Sequence, residues 1–425
     1  MIDWQALSNE STLSTAAMAE MAERSDKREL TSFRQDVRFF DFEDNGKPFT
    51  QVAVVLTPDR PLVVDGRRVV FVASEGGHDN GREFFSDDLC REGAGPWLAK
   101  RGVTFIALCR LGRWNFMANE AFGSWREVPL ERRMPIFHRG QNTYWRESEY
   151  DVVPAGEVSS ETGSEFCRVP KSDSDLESHM MALTPTTVIS GFRNALSGCP
   201  EIADRSDVLL LYWGFSTGGA FLWPLAKQVV PDGIAGFGMS NFPVALYATR
   251  AAKGNHKNLY EKSGLRLRER GRKDFSFFSS GLSDAERERQ WQEALRSPRF
   301  KSYEDTFMFF NIAALSEWIA RLWFAGDLPD DVRNAGFGEL LKRNIDLLFP
   351  DEALSSVRVL NLTGTNDEIQ SAAVVRGISA VVRPYCRTYK SLFLEGLHHS
   401  ISAEQARLFG SVWLDAIESR YFSPH

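Results

Sequence analysis

The strongest constraint on the fold is a series of short, almost unbroken apolar runs, each closed by glycine or polar residues. RRVVFVASEGG (67–77), VTFIALCRLG (103–112), DVLLLYWGF (207–215) and GIAGFGMSN (233–241) have this form, and VRVLNLTG (357–364) and TYKSLFLEG (388–396) are further strands with polar residues among the apolar ones. A strand with one wet face alternates apolar and polar residues. A run that does not alternate is buried on both faces, the habit of parallel strands covered by helices. Helical patterns lie between the runs: PWLAKRG (96–102), ending at Gly102; Pro185 to Ser197; a segment from Thr217; one starting near Ser371; and Glu404 to Ser419. The second of these has Thr184 as N-cap, Val188, Ile189, Phe192, Ala195 and Leu196 on one face, and Gly198 beyond its end. The expected class is α/β, with a mostly parallel, doubly wound sheet that presents ligand sites at the carboxyl ends of its strands.

The front of the chain differs. VRFFDFED (37–44) and FTQVAVVLTP (49–58) are rich in β-branched and aromatic residues and are separated by Asn45-Gly46, which predicts an antiparallel pair. Residues 1–36 read as a polar, peripheral helical extension with Ala17, Met18, Met21 and Ala22 on a weak apolar face. Two stretches break the strand–helix rhythm: 113–183 reads as a loop-rich insertion, and 245–350 as helices dense in aromatic residues. The expected organisation is therefore an extension (1–36), a core (37–244 and 351–425) and a helical cap (245–350).

Composition excludes several classes. Across 425 residues, 50 Lys and Arg stand against 57 Asp and Glu, a net charge of −7, so no global basic excess is available to track nucleic-acid phosphates. The locally basic run 256–275 also holds Glu261 and Glu269, and reads as a solvated helix face. No stretch reaches the ~18 to 20 apolar residues that span a bilayer, and the first thirty residues carry early acids rather than a secretory signal. The five cysteines, Cys90, Cys109, Cys167, Cys199 and Cys386, are scattered, odd in number and without a CxxC pair. They suggest neither a disulfide scaffold nor a structural zinc site, and a cytoplasmic setting is expected. Oligomeric state is left open, a homodimer included.

The segment that carries chemistry is Gly214-Phe215-Ser216-Thr217-Gly218-Gly219, a GxSxG pattern with an extra glycine. A serine at a sharp strand-to-helix turn has a strained backbone and an exposed hydroxyl, and the flanking glycines remove Cβ atoms that would collide across the turn. The following helix points its N–H groups and positive dipole end at the oxyanion of acyl transfer. The alternative is a glycine-rich loop; LLLYW before it and AFLWPLAKQVV after it favour the strand–turn–helix, with Pro224 expected to kink the helix.

With these residues the chain, from about residue 37 onward and outside the two insertions, resembles the α/β-hydrolase superfamily. That resemblance implies the order nucleophile, acid, histidine. The acid position falls on Asp367 in Gly364-Thr365-Asn366-Asp367, with Glu368 the substitute if the loop is offset by one; an ordinary helix N-cap is the competing reading of Asp367. The histidine position falls on Gly396-Leu397-His398-His399-Ser400, where His399 fits better than His398. The oxyanion hole implied takes one N–H from Thr217 and one from Gly76 or Gly77, in the loop Ser74-Glu75-Gly76-Gly77-His78-Asp79; the glycines precede the histidine here, whereas the family commonly has the reverse order. The implied activity is carboxylic ester hydrolysis on a small molecule, with amide, thioester or C–C bond hydrolysis and acyl transfer open to the same residues. No metal or organic cofactor is implied, and a non-catalytic ligand-binding protein is the reading from another class.

Overall fold

The computed structural model describes residues 2–44, 46–74, 76, 84–85, 92–109, 150–154, 166–170, 185–216, 218–239, 354–367, 370 and 372–423. Its strands are β1 (Glu10–Leu13), β2 (Phe33–Asp44), β3 (Lys47–Pro58), β4 (Val63–Val64), β5 (Arg67–Ser74), β6 (Thr104–Cys109), β7 (Tyr150–Pro154), β8 (Phe166–Pro170), β9 (Val208–Gly214), β10 (Gly233–Phe237), β11 (Arg358–Gly364) and β12 (Thr388–Leu394). The main helices are α1 (Thr15–Asp26), α2 (Ala94–Ala99), α3 (Pro185–Gly198), α4 (Gly218–Gln228), α5 (Ala372–Val382) and α6 (Ala403–Glu418). α4 continues past Pro224 to Gln228.

One sheet orders its strands β1-β12-β11-β10-β9-β5-β6-β3-β2, with β4 paired to β5. From β1 to β6 every neighbouring pair is parallel. β3 then runs antiparallel to β6, and β2 antiparallel to β3, with Asp44 opposite Lys47 and Gly46 at φ 67 in the turn between them. The class is the expected one. After β5 the chain steps to β6 on one side, then returns to β9 on the other. That reversal opens a crevice between the carboxyl ends of β5 and β9, where open α/β sheets hold their ligands.

The unbroken apolar runs are explained by burial on both faces. Val70 and Val72 of β5, with Leu210 and Tyr212 of β9, pack with Val188 and Phe192 of α3 and Phe221 and Leu225 of α4. Their alternates Phe71, Ala73, Leu211 and Trp213 join Met18 and Met21 of α1, Trp97 and Leu98 of α2, and Phe409 and Trp413 of α6. Strand side chains point to opposite faces in turn, so a two-sided core needs apolar residues at every position. Trp213 anchors the second face, with its ring centroid 4.9 Å from that of Trp413 and 4.8 Å from that of Phe84. Among the described residues no helix is long and apolar enough to cross a membrane.

Two segments depart from expectation. The N-terminal helix is present as α1, capped by Ser14, whose side chain accepts the Ala17 N–H. The residues before it are not peripheral, because β1 extends the sheet beside β12. Nearby, the Lys390 ammonium donates to the carbonyls of Trp4, Gln5 and Leu7 at 2.6, 3.0 and 2.7 Å. Trp4 is fully buried and donates its indole N–H to Asp415 at 2.8 Å. Glu-Ser-Thr-Leu carries no apolar run; its strand exists because β12 offers an open edge. Within the stretch 113–183, expected to be loop-rich, β7 and β8 form a two-stranded antiparallel pair, Tyr150 opposite Pro170 and Pro154 opposite Phe166. Each is only five residues long, too short to stand out as a strand beside the polar tract that joins them. The remainder of that stretch, the N-cap at Thr184 and the expected cap at 245–350 lie outside the described residues.

Candidate active site

The serine turn is built by backbone. β9 ends at Gly214, and the next N–H, that of Phe215, donates to the Ser74 carbonyl of β5 at 3.0 Å. Ser216 has φ 49, a left-handed conformation that costs a non-glycine residue ~1 to 2 kcal/mol. It is held there by three hydrogen bonds: its own N–H to the Gly238 carbonyl at 2.8 Å, Gly218 N–H to Phe215 O at 2.8 Å, and Gly219 N–H to Ser216 O at 3.1 Å. The glycines are needed for the close approach, since a Cβ on Gly214 would lie 2.3 Å from the Gly219 backbone. α4 begins at Gly218, so its positive end is directed at the turn. Ser216 is 9% exposed.

The other two candidates meet through side chains. The loops after β11 and β12 are knit together: Thr365 N–H donates to Leu394 O at 2.9 Å, Asn366 N–H to Leu397 O at 3.0 Å, and Gly396 N–H to Thr365 Oγ1 at 2.9 Å. They approach so closely that a Cβ on Gly364 would sit 2.1 Å from the Leu397 carbonyl oxygen. This brings Asp367 Oδ2 to 2.8 Å from His399 Nδ1, with both residues buried. A carboxylate oxygen accepts, so the shared proton sits on Nδ1 and Nε2 is left as the basic nitrogen. The second carboxylate oxygen, Oδ1, accepts the Gln370 N–H at 2.6 Å. The two readings of Asp367 are therefore both realised, cap-like on one oxygen and imidazole-holding on the other. His398 is exposed, its backbone N–H donating to Gln405 Oε1 at 2.7 Å.

The serine turn and the histidine come together through two residues that the sequence did not single out. The Phe215 ring stacks on the His399 imidazole, centroids 4.8 Å apart and planes 26° from parallel. Gly238, at φ 56, leaves open a space in which a Cβ would be 3.0 Å from Phe215 Cε2 and 3.4 Å from His399 Nδ1. The phenylalanine was visible inside GFSTGG, but only the fold shows which ring it meets. Of the expected oxyanion donors, Gly76 follows β5 and is buried. Thr217, Gly77 and the alternative acid Glu368 lie outside the described residues, as does His78. Two described thiols are poor rival nucleophiles, since burial pushes Cys199 up to about 11 and Cys386 up to about 12.

A strained serine turn after a central parallel strand, then an acid and a histidine after later strands, define the type. The fold is of the α/β-hydrolase kind. No protein-family model matches the chain, and no curated protein matches it. Solved structures similar to it include a highly thermostable carboxyl esterase from Bacillus coagulans, 14% identical with a TM-score of 0.44, covering 92% of this chain and 98% of that one. A thermophilic esterase from Thermogutta terrifontis is 11% identical with a TM-score of 0.42, covering 91% and 99%. A lipase in its open form is 13% identical with a TM-score of 0.44, covering 91% and 100%. Likeness at this level carries no function across, and the chemistry has to be read from the residues themselves.

Proposed function

We propose that the chain is a serine hydrolase that cleaves a carboxylic ester, or a related acyl bond, of a bulky apolar or aromatic small molecule through an acyl-enzyme on Ser216. The observation that carries this reading is the buried Asp367–His399 pair, stacked through the imidazole on Phe215 of the strained turn that bears Ser216. Ser216 Oγ attacks the acyl carbon while His399 Nε2 takes its proton. Asp367 keeps the imidazole in the Nδ1–H tautomer and stabilises the imidazolium. The oxyanion is held by backbone N–H groups, those of Thr217 and of Gly76 or Gly77, each worth ~2.7 to 4 kcal/mol in such sites. His399 then returns the proton to the leaving group, and water repeats the cycle to release the acid. The sequence needs no metal or organic cofactor for these steps. The apolar substrate class rests on the aromatic density of residues 274–280 and 303–324, and a cytoplasmic setting on the scattered cysteines.

A binding protein of this fold would have no use for a left-handed serine, whose strain is compensated by three backbone hydrogen bonds. The test is labelling by a fluorophosphonate, which reports an activated serine. Wild-type protein is expected to label, and Ser216→Ala to lose all labelling while its melting temperature stays within ~2 °C. A folded wild-type protein that does not label would overturn the reading.

A further inference from the structure

The hydrogen bond from His399 to Asp367 acts on a ring already tethered through Cβ, and leaves it coupled turns about χ1 and χ2. Such turns keep Nδ1 near Oδ2 while they tilt the ring and shift Nε2 relative to a partner on the far side. General-base catalysis needs that nitrogen within hydrogen-bond reach of the proton it takes. Something else has to set the plane.

We infer that Phe215, with Gly238 beside it, is the positioning residue that sets the plane of the His399 imidazole, an inference that rests on the proposed triad. The Phe215 ring lies over the imidazole face at 4.8 Å and 26°, within the offset-stacked range of aromatic pairs. Phe215 is 4% exposed, and the backbone that bears the ring is pinned, its N–H bonded to Ser74 and its carbonyl accepting from Gly218. Gly238 closes the arrangement at the Nδ1 edge. Its missing Cβ leaves room for both rings, and its carbonyl accepts the Ser216 N–H. The two residues that hold the serine's backbone are thus the two that hold the histidine's ring. Nucleophile and base are set relative to each other by one local unit, although 183 residues separate them in the chain. In this role the x of GxSxG is a plane-setting residue that never touches substrate.

The experiment uses the full chain, with fluorophosphonate as the probe and uniformly 13C-labelled histidine for NMR. In wild type one imidazole, identified by its loss in His399→Gln, is expected to show C–H resonances shifted upfield of the exposed histidines by the Phe215 ring current. Phe215→Leu keeps apolar bulk but removes the ring. It is expected to abolish that shift and to lower the maximal labelling rate about tenfold, with half-saturation changed less than about twofold. Phe215→Tyr is expected to restore both to within about twofold. A folded Phe215→Leu that labels at the wild-type rate overturns the inference and leaves the proposed function standing. Absence of labelling in the wild type overturns the proposed function, and the inference with it. If Phe215→Leu does not fold, the wild-type spectrum decides, since an unshifted His399 resonance excludes the stack.

Discussion

The serine turn and the acid–histidine loops reach the same place by different means. The turn is made of backbone: a left-handed residue, glycines at van der Waals limits and hydrogen bonds between neighbours in sequence. The loops are made of contacts across 32 residues of chain, and their decisive bond joins two buried side chains. A backbone device fails as a fold when disturbed, whereas a side-chain device can fail as chemistry while the fold survives. Substitutions should separate the two.

After loss of the serine itself, the largest effect is expected from Asp367→Asn. The amide oxygen can still accept the Gln370 N–H, so thermal melting should move little. The amide no longer enforces the Nδ1–H tautomer, and the maximal rate should fall by roughly 10⁴-fold. A loss of stability in step with activity would show that the pair is structural. Gly214→Ala tests the turn. Its Cβ meets backbone, which cannot rotate away, and urea denaturation should record a loss of about 3 kcal/mol or more. A variant with wild-type stability would mean that the turn is looser than its contacts imply. The smallest effect belongs to His398→Ala. That side chain is exposed and its ordering bond is through the backbone, so labelling and melting should stay within about twofold and ~2 °C of wild type. A dead His398→Ala with an active His399→Ala would reverse the assignment of the base.

The same contrast explains what could be read from the sequence. The central parallel strands were legible because burial on both faces writes itself into every residue of VLLLYWG. The serine turn was legible because its causes are local, within six residues. The pairing of Asp367 with His399 was reached only through the order of residues that the resemblance implies, since no local pattern at either loop states which residue it will meet. Phe215 and Gly238 were hidden for that reason, their partner ring being contributed by the far end of the chain. β1 was hidden more completely. A four-residue strand of polar composition has no signature of its own and is specified by the edge it joins and by Lys390, whose ammonium gathers the carbonyls ahead of it.

That edge also bears on how the protein is made. Thr15, just past β1, bonds to Glu395, 380 residues later. At roughly 5 to 20 residues per second, the ribosome delivers the second partner about 20 to 80 s after the first. Until β12 emerges, the opening residues have no strand to join and Trp4 no pocket to fill. This early segment is thus among the last to be secured, and a nascent chain arrested before residue 388 would hold most of the sheet while leaving residues 4–13 open to proteases and chaperones.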